Sequence, residues 1–297
     1  MSAPVRRPAG SGVTVVIATR NRRGELLRTM SRLHELPERP PVIVVDNAST
    51  DGSAAAATAC FPAAEVISLP RNDGAAARNA GAARAVTRYV AFSDDDSWWE
   101  PGSLRRAAAA LDADPRLGLV AASTLVGADR APDPLNAVMA RSPLRDGDQA
   151  EVLGFLACAC VVRKDAFLRA GGFSRLLFFA GEEQLLAYDL AAAGWARRYL
   201  PGVVAVHEPS AIRPPPSERR RAERRNLLLT AWLRRPVAVA AAETLSLARD
   251  AVRDPAARAT LFAVAARLPA ALRQRRPLPP DVERKVLALA AAHGDQQ

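Results

Sequence analysis

Apolar positions in this chain come in short blocks divided by polar turns, and the blocks alternate between two periods. The run 13-VTVVIAT-19 is β-branched and reads as a buried strand. After the polar turn 20-RNRRG-24, the stretch 25-ELLRTMSRLHEL-36 has helical spacing, and 42-VIVVD-46 is a second apolar strand. Two such strands separated by a helix predict a right-handed βαβ unit and a parallel sheet. The alternation continues with a helix over 53–61, a strand over 64–70, a small-residue helix over 74–86 and a strand over 88–93. A helix over 101–114 follows, with Pro101 at a favoured first-turn position, then a strand over 117–124.

Residues 127–150 read as loop. The segment 152–173 reads as a strand, a turn and a short helix closed by Gly171–Gly172. The stretch 181–200 reads as a helix capped at Gly194, followed by a strand over 203–207. Beyond Pro214–Pro216 the chain turns helical and rich in arginine. The division predicted is a flexible tail over 1–12, two halves of one α/β domain over 13–120 and 121–212, and a basic helical segment over 213–297.

In open parallel sheets, ligands bind beyond the carboxyl ends of the strands. Asp46, the run Asp94–Asp95–Asp96 and His207 all stand at such ends, so the pattern predicts one acidic sheet edge. Three adjacent carboxylates repel one another and require compensating positive charge. A hard divalent cation, Mg²⁺ or Mn²⁺, supplies it and suits an oxygen-rich site. On an extended strand, alternate residues point the same way, so Asp94 and Asp96 are expected to approach one ion while Asp95 points elsewhere. The plainer account is that the acids cap the helix that follows. Glu182 and Glu183 offer a second acidic pair, beside the apolar residues 176–180. Such a pair is either a general base with a raised pKa or a complement to a helix dipole. His34 and His293 are expected on the surface.

Composition narrows the field. The 297 residues are 49% hydrophobic and 24% charged, within the range of globular proteins. Cys60, Cys158 and Cys160 have neither zinc-finger nor disulfide-framework spacing. No apolar leader and no membrane-length apolar run is visible, so a cytoplasmic location is expected. The formal charge of +10 is uneven: residues 213–235 hold eight arginines against two glutamates. That cluster suits an anionic membrane surface, nucleic acid or phosphorylated substrates, or is simply a solvated helix face. Neither a phosphate-binding P-loop, a dinucleotide fingerprint nor a nucleophile elbow occurs.

Six segments taken in order resemble the family 2 glycosyltransferases with the GT-A fold, a mostly parallel α/β architecture. They are 15-VVIATRNR-22, 44-VVDNASTDGS-53, 71-RNDGAAARNAG-81, 92-FSDDDSWWEPGSL-104, 171-GGFSRLLFFAGEEQLLAYDLAAAGW-195 and the strand-end His207. The resemblance implies an inverting enzyme that takes a nucleotide-sugar donor on residues 13–120 and an acceptor (glycan, lipid-linked or small molecule) on residues 121–212. It implies Thr19, Arg20 and Asp46 around the nucleoside and Arg71 at the base or diphosphate. Asp94–Asp96 match the family's metal motif, with Asp96 and Asp94 as ligands and Asp95 on the ribose. His207 matches a position that touches the metal or diphosphate in some relatives. The general base is Glu183 or Glu182; the family usually has Asp at the second position. Leu185 and Asp189 also depart from the family, standing where many relatives carry an acid and an arginine. A place in cell-surface polysaccharide or glycoconjugate synthesis fits, with 213–235 against the inner face of the membrane and no specific nucleic acid. The competing readings are a nucleotidyltransferase and a non-enzymatic polyanion-binding protein.

Overall fold

The computed structural model describes residues 12–211 and 215–294, the last two by backbone only. Residues 1–11 of the expected tail, Arg213, Pro214 and the His293 side chain therefore lie outside the described residues. The first half follows the alternation of the sequence: β1 (Val13–Thr19), α1 (Arg23–His34), β2 (Val42–Asp46), α2 (Ser53–Cys60) and β3 (Glu65–Ser68). A 3₁₀ turn over Gly74–Ala77 then leads into α3 (Arg78–Arg84), β4 (Tyr89–Asp94) and β5 (Ser97–Trp99).

The small residues of α3 have a packing reason. A Cβ on Gly81 would lie 2.5 Å from a Val16 methyl and 3.0 Å from one of Val45, so glycine lets the helix lie directly on β1 and β2. Next come α4 (Ser103–Ala113) and β6 (Leu117–Val126). Pro101 precedes α4 instead of opening it; the helix begins after Gly102, whose φ is +82°. The strand β6 spans the expected division between residues 120 and 121.

The 127–150 stretch, expected to be loop, contains β7 (Ala131–Pro132), α5 (Pro134–Ala140), β8 (Arg145–Asp146) and β9 (Gln149–Ala150). Asp133 caps α5 by accepting from the Leu135 N–H at 2.8 Å. In the apolar run from Val152, only β10 (Cys160–Arg163) is strand, followed by α6 (Lys164–Arg169). After α7 (Glu182–Ala192), β11 already starts at Ala196 and runs to His207, so residues 196–200 are strand and not helix.

The strands form one sheet in the order β3-β2-β1-β4-β10-β6-β11-β5, with β7 paired to β6. Strands β3, β2, β1 and β4 are parallel; β10 is antiparallel to both neighbours, so β6 and β11 run in the direction of β4. Apolar residues pack on both faces of the sheet, as continuous apolar strands require.

The C-terminal segment is helical, as expected: α8 (Pro216–Arg234), α9 (Val237–Ala251), α10 (Pro255–Ala265), α11 (Leu268–Arg273) and α12 (Pro280–Gly294). These helices do not stand apart. Leu177 and Leu185 share a buried cluster with Leu228, Leu229, Leu233 and Leu247, and Lys285 of α12 bonds both oxygens of the buried Glu151 at 2.9 and 2.8 Å. No helix among the described residues is long and apolar enough to cross a membrane.

Candidate active site

The sheet register brings the predicted strand ends to one edge. Thr19 stands opposite Asp46, Ala18 opposite Asp94, and His207 opposite Ser97 just past the aspartate run. All of these strands but β5 point the same way, so the topology itself gathers the polar residues.

The aspartates are arranged differently from the expectation. Strand β4 ends at Asp94, and Asp95 and Asp96 form the tight turn into β5. Strand alternation therefore does not set Asp94 and Asp96 side by side. Each carboxylate has its own set of partners, with Arg22 shared by Asp95 and Asp96. Asp94 accepts from Arg78. Asp95 accepts from the Thr19 hydroxyl at 2.9 Å and from Arg22 at 3.0 Å. Asp96 accepts from the Ser210 backbone N–H at 3.0 Å and from Arg22 at 3.4 Å, and lies 3.4 Å from Nε2 of His207. The charge that makes the run tolerable thus comes from Arg22 and Arg78 of the protein itself, with the His207 imidazole beside Asp96.

Proton affinities diverge accordingly. Burial pushes Asp95 up to about 6, against the pull of Arg22. Burial acts the same way on Asp96, but hydrogen bonds from His207 and Ser210 outweigh it and hold this carboxyl well below the usual range. One of two neighbouring carboxylates is thus firmly ionised, whereas the other sits close to its proton.

Beyond this edge, α7 opens with the glutamate pair in its first turn, where negative charge complements the helix dipole. Glu182 is only 2% exposed, and its Oε2 finds no hydrogen-bond partner among the described residues. Burial first, and then the charge of Glu183, raise its proton affinity. Glu183 is half-buried and also raised by burial, which its own backbone N–H, Arg78 and the Ala157 N–H partly offset.

Arg78 joins the two acidic groups. It is buried at the start of α3, bonded to Asp94, close enough to feel both glutamates, and 5.7 Å from the ring centre of Phe173. Phe173 is itself held by Phe92 and Phe167, with ring centres 5.1–5.4 Å apart. Burial disfavours the guanidinium charge, yet Asp94 and Glu182 hold its proton more firmly than usual. Neither Arg78 nor Arg22 stood out in the sequence, although both lie within the motifs quoted above. The readable signal was three carboxylates needing cations; nothing local said which arginines would supply them.

The remaining predicted residues divide. Asp46 is buried, accepts from the Ser49 N–H at 3.2 Å, and keeps Oδ1 without a partner among the described residues. Next to it, Asn47 donates to the Gly74 carbonyl at 3.0 Å and accepts from the Asp73 N–H at 2.7 Å, tying the β2 loop to the loop before α3. Arg20 is exposed. The Arg71 guanidinium, 72% exposed, pairs with Asp73 at 2.9 Å and is not drawn into the carboxylate cluster. Cys158 and Cys160 are buried, and burial pushes both thiols up, away from redox reactivity.

Among the described residues, no three His, Cys, Asp or Glu side chains come together as a metal-binding group. Asp96 and His207 do provide a firmly ionised carboxylate beside an imidazole. That pair fits a divalent ion that takes the rest of its ligands from phosphate oxygens and water, the usual habit of Mg²⁺.

The family model described as "Glycosyl transferase family 2" matches residues 14–171. The pre-mycofactocin glycosyltransferase of Mycobacterium tuberculosis is 32% identical over 219 residues, covering 69% of this chain and 44% of that protein. This chain therefore spans less than half the length of that relative. The N-acetylglucosaminyl-diphospho-decaprenol L-rhamnosyltransferase of the same organism is 28% identical over 229 residues, covering 65% and 75%. Among solved structures, the mannosyltransferase PcManGT from Pyrobaculum calidifontis, in complex with GDP-Man and Mn²⁺, superposes with a TM-score of 0.58 at 23% identity, covering 95% of this chain and 75% of that one. S. aureus TarS in complex with UDP-GlcNAc gives 0.56 at 17% identity, covering 73% and 66%. The fold is the GT-A fold expected from the sequence.

Proposed function

Because the chain belongs to glycosyl transferase family 2, we propose that it moves a sugar from a nucleoside diphosphate donor to an acceptor hydroxyl, with inversion at the anomeric carbon. The observation that carries this reading is Arg78, buried between Asp94 of the sheet edge and the raised pair Glu182–Glu183. It links a site for anionic leaving-group chemistry to a site for proton removal.

The donor's nucleoside is assigned to the β1 and β2 ends. The unpartnered Oδ1 of Asp46 faces it, Asp95 meets the ribose, and the exposed Arg20 and Arg71 form the outer rim. Asp96 and His207 would hold Mg²⁺ or Mn²⁺, and Asp94, now bonded to Arg78, is the third candidate ligand. When bound, the ion supplies positive charge that stabilises the departing diphosphate. Glu183 takes the proton from the acceptor hydroxyl, since it is the more accessible of the two glutamates. Burial raises its proton affinity above that of an ordinary glutamate, the direction that makes a carboxylate a better base. One displacement with one base inverts configuration without a covalent intermediate.

One cation stands near the glutamate pair on the acceptor side. Arg219 of α8 lies within electrostatic reach of both glutamates and is bonded to Glu223 at 2.8 Å. This supports an acceptor carrying negative charge, of the lipid-linked diphosphate kind named for the rhamnosyltransferase relative. Such a role belongs to cell-surface glycan or glycoconjugate synthesis, with the exposed start of α8 against an anionic membrane face; further along, Arg225, Arg234 and Arg235 bond within the protein. The test is a thermal-shift screen of GDP-mannose, UDP-N-acetylglucosamine and other nucleotide sugars with and without Mn²⁺, followed by product analysis. Stabilisation by one donor and release of nucleoside diphosphate are expected. Release of pyrophosphate, or no response to any donor, would overturn the reading.

A further inference from the structure

The loop that delivers Glu182 and Glu183 is held in a costly shape by a residue far away in sequence. Phe178, Ala180 and Gly181 all have positive φ, at 67°, 70° and 85°. Only glycine adopts that region readily, so Phe178 and Ala180 stay there only if their surroundings impose it. The surroundings are on α8. Asn226 is fully buried, and its amide nitrogen lies 2.8 Å from the Leu177 carbonyl, 2.7 Å from that of Phe179 and 2.5 Å from that of Ala180. Arg225 fixes which end of that amide faces the loop: its Nε donates to Asn226 Oδ1 at 2.9 Å, and its Nη2 donates to Leu177 O at 3.0 Å.

The same loop is gripped on the donor side. The Phe178 carbonyl accepts from the Ala75 N–H at 2.7 Å, and a Cβ on Gly74 would lie 2.1 Å from that oxygen. Asn47 in turn holds the Gly74 carbonyl. A continuous hydrogen-bonded path thus runs from α8, through the 177–181 loop, to the loop after β2 that follows Asp46.

We infer that Asn226 is a positioning residue for the reaction: by collecting the carbonyls of Leu177, Phe179 and Ala180, it fixes the left-handed arch from which the Glu182–Glu183 pair enters the site. The inference rests on the proposed role of that pair. The C-terminal helices thus do more than pack, since α8 holds the loop that presents the pair. An asparagine suits the place because it donates two N–H bonds without bringing a charge into a buried region that already holds two carboxyls and a guanidinium.

The test uses the full chain with Asn226→Ala, Asn226→Ala/Ala180→Gly, Arg225→Ala, Glu182→Gln and Glu183→Gln. In Asn226→Ala, deuterium exchange is expected to quicken at the amides of 178–183 and not across the sheet. Turnover of whichever nucleotide sugar the wild type uses should fall at least about tenfold while donor affinity stays within about twofold, the signature of a lost arrangement rather than lost binding. Ala180→Gly should recover part of that turnover, because glycine holds the arch without help. If Asn226→Ala does not fold, Arg225→Ala carries the same expectation at smaller size. Unchanged turnover in the folded Asn226 or Arg225 variant, with either glutamate variant impaired, overturns the positioning role alone. If neither glutamate variant is impaired, the base assignment falls and this inference falls with it.

Discussion

Arg78 donates to Asp94 across 16 residues of sequence while its guanidinium lies against the face of Phe173. This single cation serves three carboxylates: Asp94 directly, Glu182 and Glu183 through space. Removing it should be costly. Breaking a fully buried pair by deleting one partner costs roughly 3–5 kcal/mol, and less here because the surviving Asp94 is a third exposed to screening solvent. Arg78→Ala is therefore expected to lower the urea midpoint strongly and abolish transfer. Arg78→Lys keeps the charge but loses the planar fork and the ring contact, and should fall between. A wild-type urea midpoint in Arg78→Ala would show that the pair contributes nothing.

The raised glutamates fix a pH dependence for catalysis. A base must be ionised to accept a proton, and burial raises the proton affinity of both Glu182 and Glu183. Turnover should therefore fall as the pH drops through a value above the ordinary glutamate pKa of about 4.3. Glu183→Gln should cut turnover by at least about a hundredfold and leave donor binding largely intact. If Glu182→Gln is the crippled variant instead, the two roles are exchanged. An acid limb at the ordinary glutamate value would remove the coupling between burial and catalysis.

The same burial has a price in stability. A group whose folded-state pKa lies above its unfolded value stabilises the fold most below the unfolded pKa, and that contribution is lost as pH rises through the folded pKa. For Glu182 this loss extends to neutral and mildly alkaline pH, because burial raises its pKa so far. Glu182→Gln should thus melt above the wild type at pH 8 by a few degrees, the shift that about 1–2 kcal/mol produces in a chain of this size. The difference should close below about pH 4. An equal or lower melting temperature at pH 8 would contradict the assignment of a strained, buried acid.

Much of this architecture is visible in the sequence because the strands are buried on both faces and so announce themselves as apolar runs. The strand ends at Thr19, Asp46 and His207 follow from the apolar pattern alone. The apolar run from Val152 misleads for the same reason. Only Cys160–Arg163 pairs in the sheet, and the mostly buried residues before them end in a 3₁₀ turn over Ala157–Ala159, from which the Ala157 N–H turns toward Glu183. Burial, not extension, made that run apolar. The pattern carries the helix on to residue 200 because the arginines of 196-ARRYL-200 give no strand signal; Arg197 is buried there against Glu151. Arg22, Arg78 and Asn226 escaped for a different reason. Each acts on groups at least 16 residues away, and no local period encodes a partner at that distance.

Asp96 offers the sharpest test of the metal reading. Its carboxylate is held ionised by His207 and by the Ser210 N–H, so it is ready to ligate without first losing a proton. Asp96→Asn keeps an oxygen for the Ser210 N–H but removes the negative charge, whereas Asp96→Ala removes both. Calorimetry should show that Mn²⁺ tightens donor binding to the wild type, and that both variants lose this enhancement while metal-free donor affinity changes little. Because the asparagine variant retains the local hydrogen bond, a loss seen in both points to the charge and not to a disturbed turn. His207→Ala should lose part of the same enhancement. Full Mn²⁺ enhancement in Asp96→Asn would move the ion elsewhere and leave the aspartate as a structural partner of Arg22.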